Sequence, residues 1–204
     1  MTVACFAAVT EVRVEATLTA VETSRRDRLV RQTDRDSYTA AHLLARACAA
    51  ELLGLAPAQL SLSQSCPRCG AYDHGRPGID GHDVYISLSH TQGYVAAVAS
   101  RRPCGIDVET RARSVPARAL SQPEHRWICL QPDPLEAFTQ LWTRKEALLK
   151  AHGHTDPTAA TVLGDEGLLS SSQALTFTEW QPQGTPAAVI GCIVAEIPPP
   201  DFCR

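Results

Sequence analysis

One order of elements occurs twice along this chain, and that repetition restricts the fold more than any other feature. From Asp34 to Leu53, apolar residues fall at Tyr38, Ala41, Leu44, Ala45, Cys48 and Leu52, the spacing of one helix face. Asp34 or Asp36 is placed to cap its start, and Gly54 marks its stop. A second helix is predicted from Pro134 to His152, with Phe138, Leu141, Trp142, Leu148 and Leu149 toward a core. Asp133 suits its N-cap, Pro134 its first turn and Gly153 its end. Strand-like segments follow each helix: Val84–Leu88, Gly93–Ser100 and Gly105–Glu109 after the first, Leu175–Trp180 and Ala187–Ile197 after the second. Residues 181–186, rich in Pro and Gly, read as a hairpin-like turn. Ahead of the first helix, Glu11, Arg13 and Glu15 alternate with Val12, Val14 and Ala16, the mark of a half-buried strand. Strand, long helix and strand pair thus occur twice. The expectation is an α+β pseudo-repeat of two halves, 1–102 and 103–204, joined near Arg101–Cys104, with a loose tail from Pro198 to Arg204.

Composition narrows the partners. A net charge of −3 gives no basic field of the kind that nucleic acid requires. One local basic run, Arg25-Arg26-Asp27-Arg28-Leu29-Val30-Arg31, is either a solvated helix face or a site for a small polyanion. The N-terminus has no basic leader, and no apolar run approaches the roughly 18 residues of a membrane span. The expected setting is the cytoplasm, where the eight cysteines are mostly thiols. Cys5, Cys48, Cys104, Cys129 and Cys192 lie among apolar neighbours and read as small core residues.

Four groups of residues could carry chemistry. In Gly105-Ile106-Asp107-Val108-Glu109, strand alternation sends Asp107 and Glu109 to one face and Ile106 and Val108 to the other. Two carboxylates side by side repel unless a cation sits between them, and hard oxygen ligands suit Mg²⁺. The lysines form the second group. The chain has only two, Lys145 and Lys150, both within Trp142–Ala151, against 17 arginines. A lysine is a compact ammonium, whereas an arginine is a wide planar fork, so this restriction points to a contact built around a small cation. Trp142, Glu146 and Lys150 stand at i, i+4 and i+8, one row along the helix. In that row Glu146 is placed to give a cation a third carboxylate and Lys150 to hold a phosphate oxygen; Lys145, one position round the helix, is placed to reach a phosphate at its edge. The plain alternative is a surface Glu–Lys pair worth about 0.2–0.5 kcal/mol. Ser87-Leu88-Ser89-His90, at a strand end, and the turn Gly75-Arg76-Pro77 are weaker signals when taken singly.

Taken in order, GRP, SLSH, GIDVE and WTRKEALLK resemble the motif series of the larger, surfactin-synthetase-activating type of 4′-phosphopantetheinyl transferase. The Lys-Glu-Ala variant looks like that family's W/KEA subgroup. The resemblance runs from about Arg28 to Ala151 and implies two similar halves, related by a pseudo-twofold, with a ligand cleft between them. It also implies transfer of the 4′-phosphopantetheine arm of coenzyme A to a serine of an acyl or peptidyl carrier protein, with release of adenosine 3′,5′-bisphosphate. Carried over by motif, Asp107, Glu109 and Glu146 are the expected Mg²⁺ ligands. His90 and Lys150 are expected at the pyrophosphate, and Ser89 and Arg76 along coenzyme A. Glu146, or a water that it holds, is the expected proton acceptor. Where family members often carry an arginine for the 3′-phosphate this chain has Ser37, so Arg25, Arg28, Arg31 or Arg35 are the expected replacements. The implied partner is a carrier protein, not nucleic acid or a membrane, and the enzyme is expected to act as a cytoplasmic monomer.

The segment from Arg111 to Pro132, with Arg113, Arg118 and Arg126 beside Val115, Leu120 and Trp127, is expected to dock the carrier. Cys66-Pro67-Arg68-Cys69-Gly70 is half of a zinc ribbon. With no second C-x-x-C and only His74 and His82 nearby, it reads as a loop of two free thiols. A non-catalytic relative is expected to lose the acidic triad, which is intact here. A different nucleotide enzyme is expected to show a phosphate-cradling glycine loop, which is missing here.

Overall fold

The structure, a computed structural model, describes the chain except residues 66–68, 71–74, 117–119, 154–155, 158–159, 183–188, 197–198 and 200–204. The CPRC segment and the tail therefore lie largely outside the described residues, as do Arg118 and most of the expected turn at 181–186. Among the described residues no helix is long and apolar enough to cross a membrane.

The fold is a mixed α+β arrangement built on antiparallel sheets. Strand β1 (Thr2–Ala8) is followed by helices α1 (Ala20–Asp27) and α2 (Gln32–Leu53), a short hairpin β2 (Leu62–Ser65) and β3 (Arg76–Ile79), and a longer one, β4 (Tyr85–Thr91) and β5 (Tyr94–Ser100). Then come β6 (Cys104–Thr110), α3 (Gln122–Cys129), α4 (Pro134–His152), the two-residue strands β7 (Leu163–Gly164), β8 (Gly167–Leu168) and β9 (Ser171–Ser172), and the pair β10 (Leu175–Trp180) and β11 (Val189–Ala195). The first sheet has the order β1-β5-β4 and the second β6-β11-β10-β9. In each sheet the first strand pairs with the last long strand, which pairs in turn with the strand before it.

Alternation along the strands explains the layering. On β5, Val95, Ala97 and Ala99 pack beneath α2, while Ala96 and Val98 point the other way. On β11, Cys192 and Val194 pack beneath α4, while Ile193 and Ala195 point the other way. The two outward faces meet, so Ala4, Phe6, Ala96 and Val98 pack against Ile106, Val108, Val189 and Ile193. The order of layers is α2, first sheet, second sheet, α4. Phe6 fills the space over Gly191, where a Cβ would stand 2.3 Å from its ring, and stacks on Trp180 at a centroid distance of 4.6 Å. Each large aliphatic side chain buried in these layers is worth about 1.5–3 kcal/mol.

The long helices follow their sequence signals. α4 begins on Asp133, whose carboxylate accepts the backbone N–H groups of Leu135 and Glu136, and it ends at Gly153 in the left-handed region. α2 ends at Gly54 in the same way but starts earlier than expected, at Gln32, with Arg31 at the N-cap and no side-chain cap. Asp34 thus lies in the first turn, where its charge meets the helix dipole, and Asp36 accepts a hydrogen bond from Gln32 at 2.7 Å. The N-terminal strand also differs from expectation. It is the apolar run Thr2–Ala8; residues 9–11 form a 3₁₀ turn, and Glu11–Ala16, where the alternation suggested a strand, form none. Cys5, Cys48, Cys104 and Cys192 are buried as expected, but Cys129 is exposed at the end of α3.

The short helices α1 and α3 share one device. Thr19 and Ser121 are N-caps of capping boxes whose third residues, Glu22 and Glu124, are buried. Each glutamate is then held by the following long helix: Glu22 by His42 and Arg46 of α2, Glu124 by Lys145 of α4. Burial pushes the Glu22 carboxyl up. Hydrogen bonds from His42, Arg46 and Thr19 outweigh that and hold it down, at about 2 against an ordinary 4.5. Because the folded value is depressed, this stabilisation is present above pH 4.5 and is lost as the pH falls toward 2. The urea midpoint of the wild-type protein is expected to fall across that window. Glu22→Gln, which leaves Arg46 buried without its anion, is expected to cost about 3 kcal/mol at neutral pH and to flatten the acid slope. Equal acid slopes for the two proteins would refute the assignment.

Candidate active site

The site lies where β6 runs beneath α4 and beside β4. Gly105 permits this: a Cβ there would stand 1.9 Å from the Ala147 carbonyl oxygen and 2.7 Å from the Ala151 nitrogen, so only glycine lets α4 lie this close. From that contact, Ile106 and Val108 enter the core between the sheets, while Asp107 and Glu109 lie on the alternate face, beneath α4. The row Trp142, Glu146 and Lys150 is half-buried along α4, with Trp142 stacked on Phe138 at 6.0 Å.

Asp107 is the centre of the arrangement and is 3% exposed. Its Oδ1 accepts Lys150 Nζ at 2.6 Å and Ser89 Oγ at 2.8 Å. Lys150 Nζ also donates to the Ile106 carbonyl at 3.2 Å. Asp107 Oδ2 is buried and has no hydrogen-bond partner. Burial pushes the Glu109 carboxyl up to about 7; the charges of Asp107 and Glu146 add to the rise, and Lys150 opposes it. Glu146 is likewise raised, first by burial and then by Asp107. Three carboxyl groups therefore act on one another around a single ammonium. Among the described residues no three His, Cys, Asp or Glu side chains are already grouped closely enough to hold a metal ion. The orphaned buried oxygen and two carboxyls held above their ordinary range are oxygen donors of the kind that suits a hard divalent cation.

On β4, Ser87, Ser89 and Thr91 form rungs to β6. Ser87 Oγ accepts the Ile106 N–H at 3.2 Å, and Thr91 Oγ1 accepts the Thr110 N–H at 3.1 Å. Ser89, expected along coenzyme A, is turned inward on Asp107. His90, the next residue, stands at the exposed rim; the protein packed round its ring lowers its pKa from 6.5, and the Lys150 charge lowers it further. A groove of about 590 Å³ opens beside it, lined by Arg31, Thr33, Ser37, His90, Thr91 and Gly93 among others.

The remaining expected residues are dispersed. Arg31 lines the groove with His90, whereas Arg35 lines an adjoining groove with Arg26 and donates to the Leu29 carbonyl at 2.8 Å; Asp36 lines both. Arg28 is exposed at the end of α1. Arg76 donates to the carbonyls of Ala151 and Cys104. Lys145, expected at a phosphate's edge, is 1% exposed and donates to Glu124 at 2.5 Å, because one step round the helix from Glu146 points inward. In the expected docking segment, Arg113 and Arg126 are exposed, Arg111 pairs with Asp133, and Leu130 at the end of α3 is 82% exposed. Sequence reading missed Glu124 as the partner of Lys145. The signal was present in Ser121-x-x-Glu124, a capping box.

Residues 103–182 match the family model of the 4′-phosphopantetheinyl transferase superfamily. The 4′-phosphopantetheinyl transferase gsp of Aneurinibacillus migulanus is 32% identical over 87 residues, 40% of this chain and 36% of that protein. A 4′-phosphopantetheinyl transferase of Bacillus subtilis is 26% identical over 149 residues, 70% of this chain and 63% of that protein. The matched stretches thus span less than two thirds of either relative. Asp107, Glu109, Glu146 and Lys150 all fall within residues 103–182, so the part of the chain that is similar to 4′-phosphopantetheinyl transferases is the part that carries the acidic row.

Proposed function

We propose that this chain is a 4′-phosphopantetheinyl transferase, which moves the phosphopantetheine arm of coenzyme A onto a serine hydroxyl of an acyl or peptidyl carrier protein. The observation that carries this reading is Asp107, buried with one oxygen on Lys150 and the other unpartnered, facing two carboxyls raised above their usual range. In the transfer, the serine oxygen bonds to the phosphorus that bears pantetheine. The bond to the bridging pyrophosphate oxygen breaks, and adenosine 3′,5′-bisphosphate leaves. Such chemistry asks a protein mainly to position groups and neutralise charge.

Asp107, Glu109 and Glu146 are the residues that would hold Mg²⁺, which would supply compensation for the pyrophosphate charge. Lys150 offers its ammonium to a phosphate oxygen. His90 is mostly neutral at pH 7 because its pKa is lowered, so it serves as a neutral N–H donor at the rim. Glu146, whose raised carboxyl favours taking up a proton, accepts the serine proton directly or through a water. Arg31, on the groove beside His90, is the best placed of the expected arginines for the 3′-phosphate.

Incubating the protein with coenzyme A, Mg²⁺ and a purified carrier protein is expected to raise the carrier's mass by one phosphopantetheine. Excess chelator should suppress the gain. An unchanged carrier mass across acyl and peptidyl carriers would refute the transfer, and an equal gain with chelator would refute the metal assignment alone.

A further inference from the structure

We infer that Arg76 is a positioning residue for Lys150, acting on it through the backbone of the other half of the chain; this rests on the transfer reading only where catalysis is the readout. Arg76 lies on β3, and its Nη2 donates to the Ala151 carbonyl at 3.0 Å and to the Cys104 carbonyl at 3.5 Å. Ala151 follows Lys150 in the last full turn of α4. Cys104 lies two residues before Ile106, whose carbonyl accepts Lys150 Nζ. One guanidinium therefore grips both backbone segments that set the Lys150 ammonium. Between them is Gly105, where a Cβ would stand 1.9 Å from the Ala147 carbonyl oxygen, so β6 and α4 are in close backbone contact.

Two further features fit a clamp. The Arg76 guanidinium lies over the Tyr85 ring at 4.8 Å, which holds the fork flat. A cation at the C-terminal end of α4 also meets the negative end of the helix and a carbonyl that has no partner within the helix. The path from Arg76 to the site is short: Arg76 to the Ala151 carbonyl, one residue back to Lys150, then 2.6 Å to Asp107.

Because Lys145 and Lys150 are the only lysines, a protein labelled with ¹³C,¹⁵N-lysine gives two side-chain signals. Lys145→Arg assigns them. In Arg76→Ala, the Lys150 signal is expected to shift and broaden while that of Lys145, buried against Glu124, stays in place. Arg76→Lys, which keeps one cation without the flat fork, guards against a variant that fails to fold and should move Lys150 less. In the transfer assay, Arg76→Ala is expected to lower kcat roughly tenfold, the scale of a lost charge-assisted hydrogen bond, with the Kd for coenzyme A changed less than about twofold. An unmoved Lys150 signal in both variants overturns the inference. So does a coenzyme A Kd raised about tenfold with Lys150 unmoved, which would make Arg76 a direct ligand contact. If the wild type transfers nothing, the function proposal fails, while the two-signal measurement on the free protein still decides the role of Arg76.

Discussion

Replacing Asp107 by alanine is expected to lower phosphopantetheine transfer by about 10³-fold in a protein that still folds. Asp107 holds the Lys150 ammonium, is braced by Ser89, and presents a buried oxygen with no protein partner. Without the carboxylate, Lys150 loses its anchor and the proposed Mg²⁺ loses its most enclosed ligand. Charge compensation by such an ion is worth several kcal/mol, and each 1.36 kcal/mol is a factor of ten in rate. The fold should tolerate the change, because the Lys150 side chain is 30% exposed and can turn to water. Asp107→Asn keeps the shape and should be nearly as inactive, which separates charge from packing. Melting temperatures and coenzyme A titrations with and without Mg²⁺ complete the test. Turnover close to wild type at saturating Mg²⁺ would sink the central role of Asp107.

Much of this site was legible because it depends on local periodicity. A period of two placed Asp107 and Glu109 together, and a period of four aligned Glu146 with Lys150. The same holds for α4, where Asp133, Pro134 and Gly153 carry chemistry specific to helix ends, and the predicted bounds match the observed ones. The N-terminal strand was missed for a physical reason. Thr2–Ala8 packs on α2 on one side and on the second sheet on the other, so it shows a continuous apolar run rather than alternation. The Glu11–Ala16 stretch alternates between exposed and half-buried residues without being a strand. Helices α1 and α3 are eight residues each, too short to stand on periodicity, and are held by capping boxes and buried ion pairs to the next helix. The contacts that finish the site join distant residues: Ser89 to Asp107, Arg76 to Ala151 and Lys145 to Glu124. Nothing in local pattern specifies which of several polar residues will meet once the layers close.

The same geometry explains why a lysine persists in a chain that otherwise uses arginine, and it makes Lys150→Arg the sharper test. Lys150 Nζ reaches two oxygens of one short strand segment, Asp107 Oδ1 at 2.6 Å and the Ile106 carbonyl at 3.2 Å. A tetrahedral ammonium bonds both from a single point and keeps a third proton for a phosphate oxygen. A guanidinium is planar and spreads its donors over a fork, so it meets Asp107 side-on and pushes outward toward Glu146 or the space that the pyrophosphate needs. A displacement near 1 Å at a reacting centre costs roughly 10²-fold, and Lys150→Arg is expected to lose about that in kcat/KM although its charge is unchanged. Lys145→Arg is the internal control. That side chain is buried on Glu124, away from the acidic row, so its substitution should lower stability more than turnover per folded molecule. Equal kcat/KM for Lys150→Arg and wild type would show that the site needs only a positive charge, and that the clustering of both lysines on α4 has no catalytic meaning.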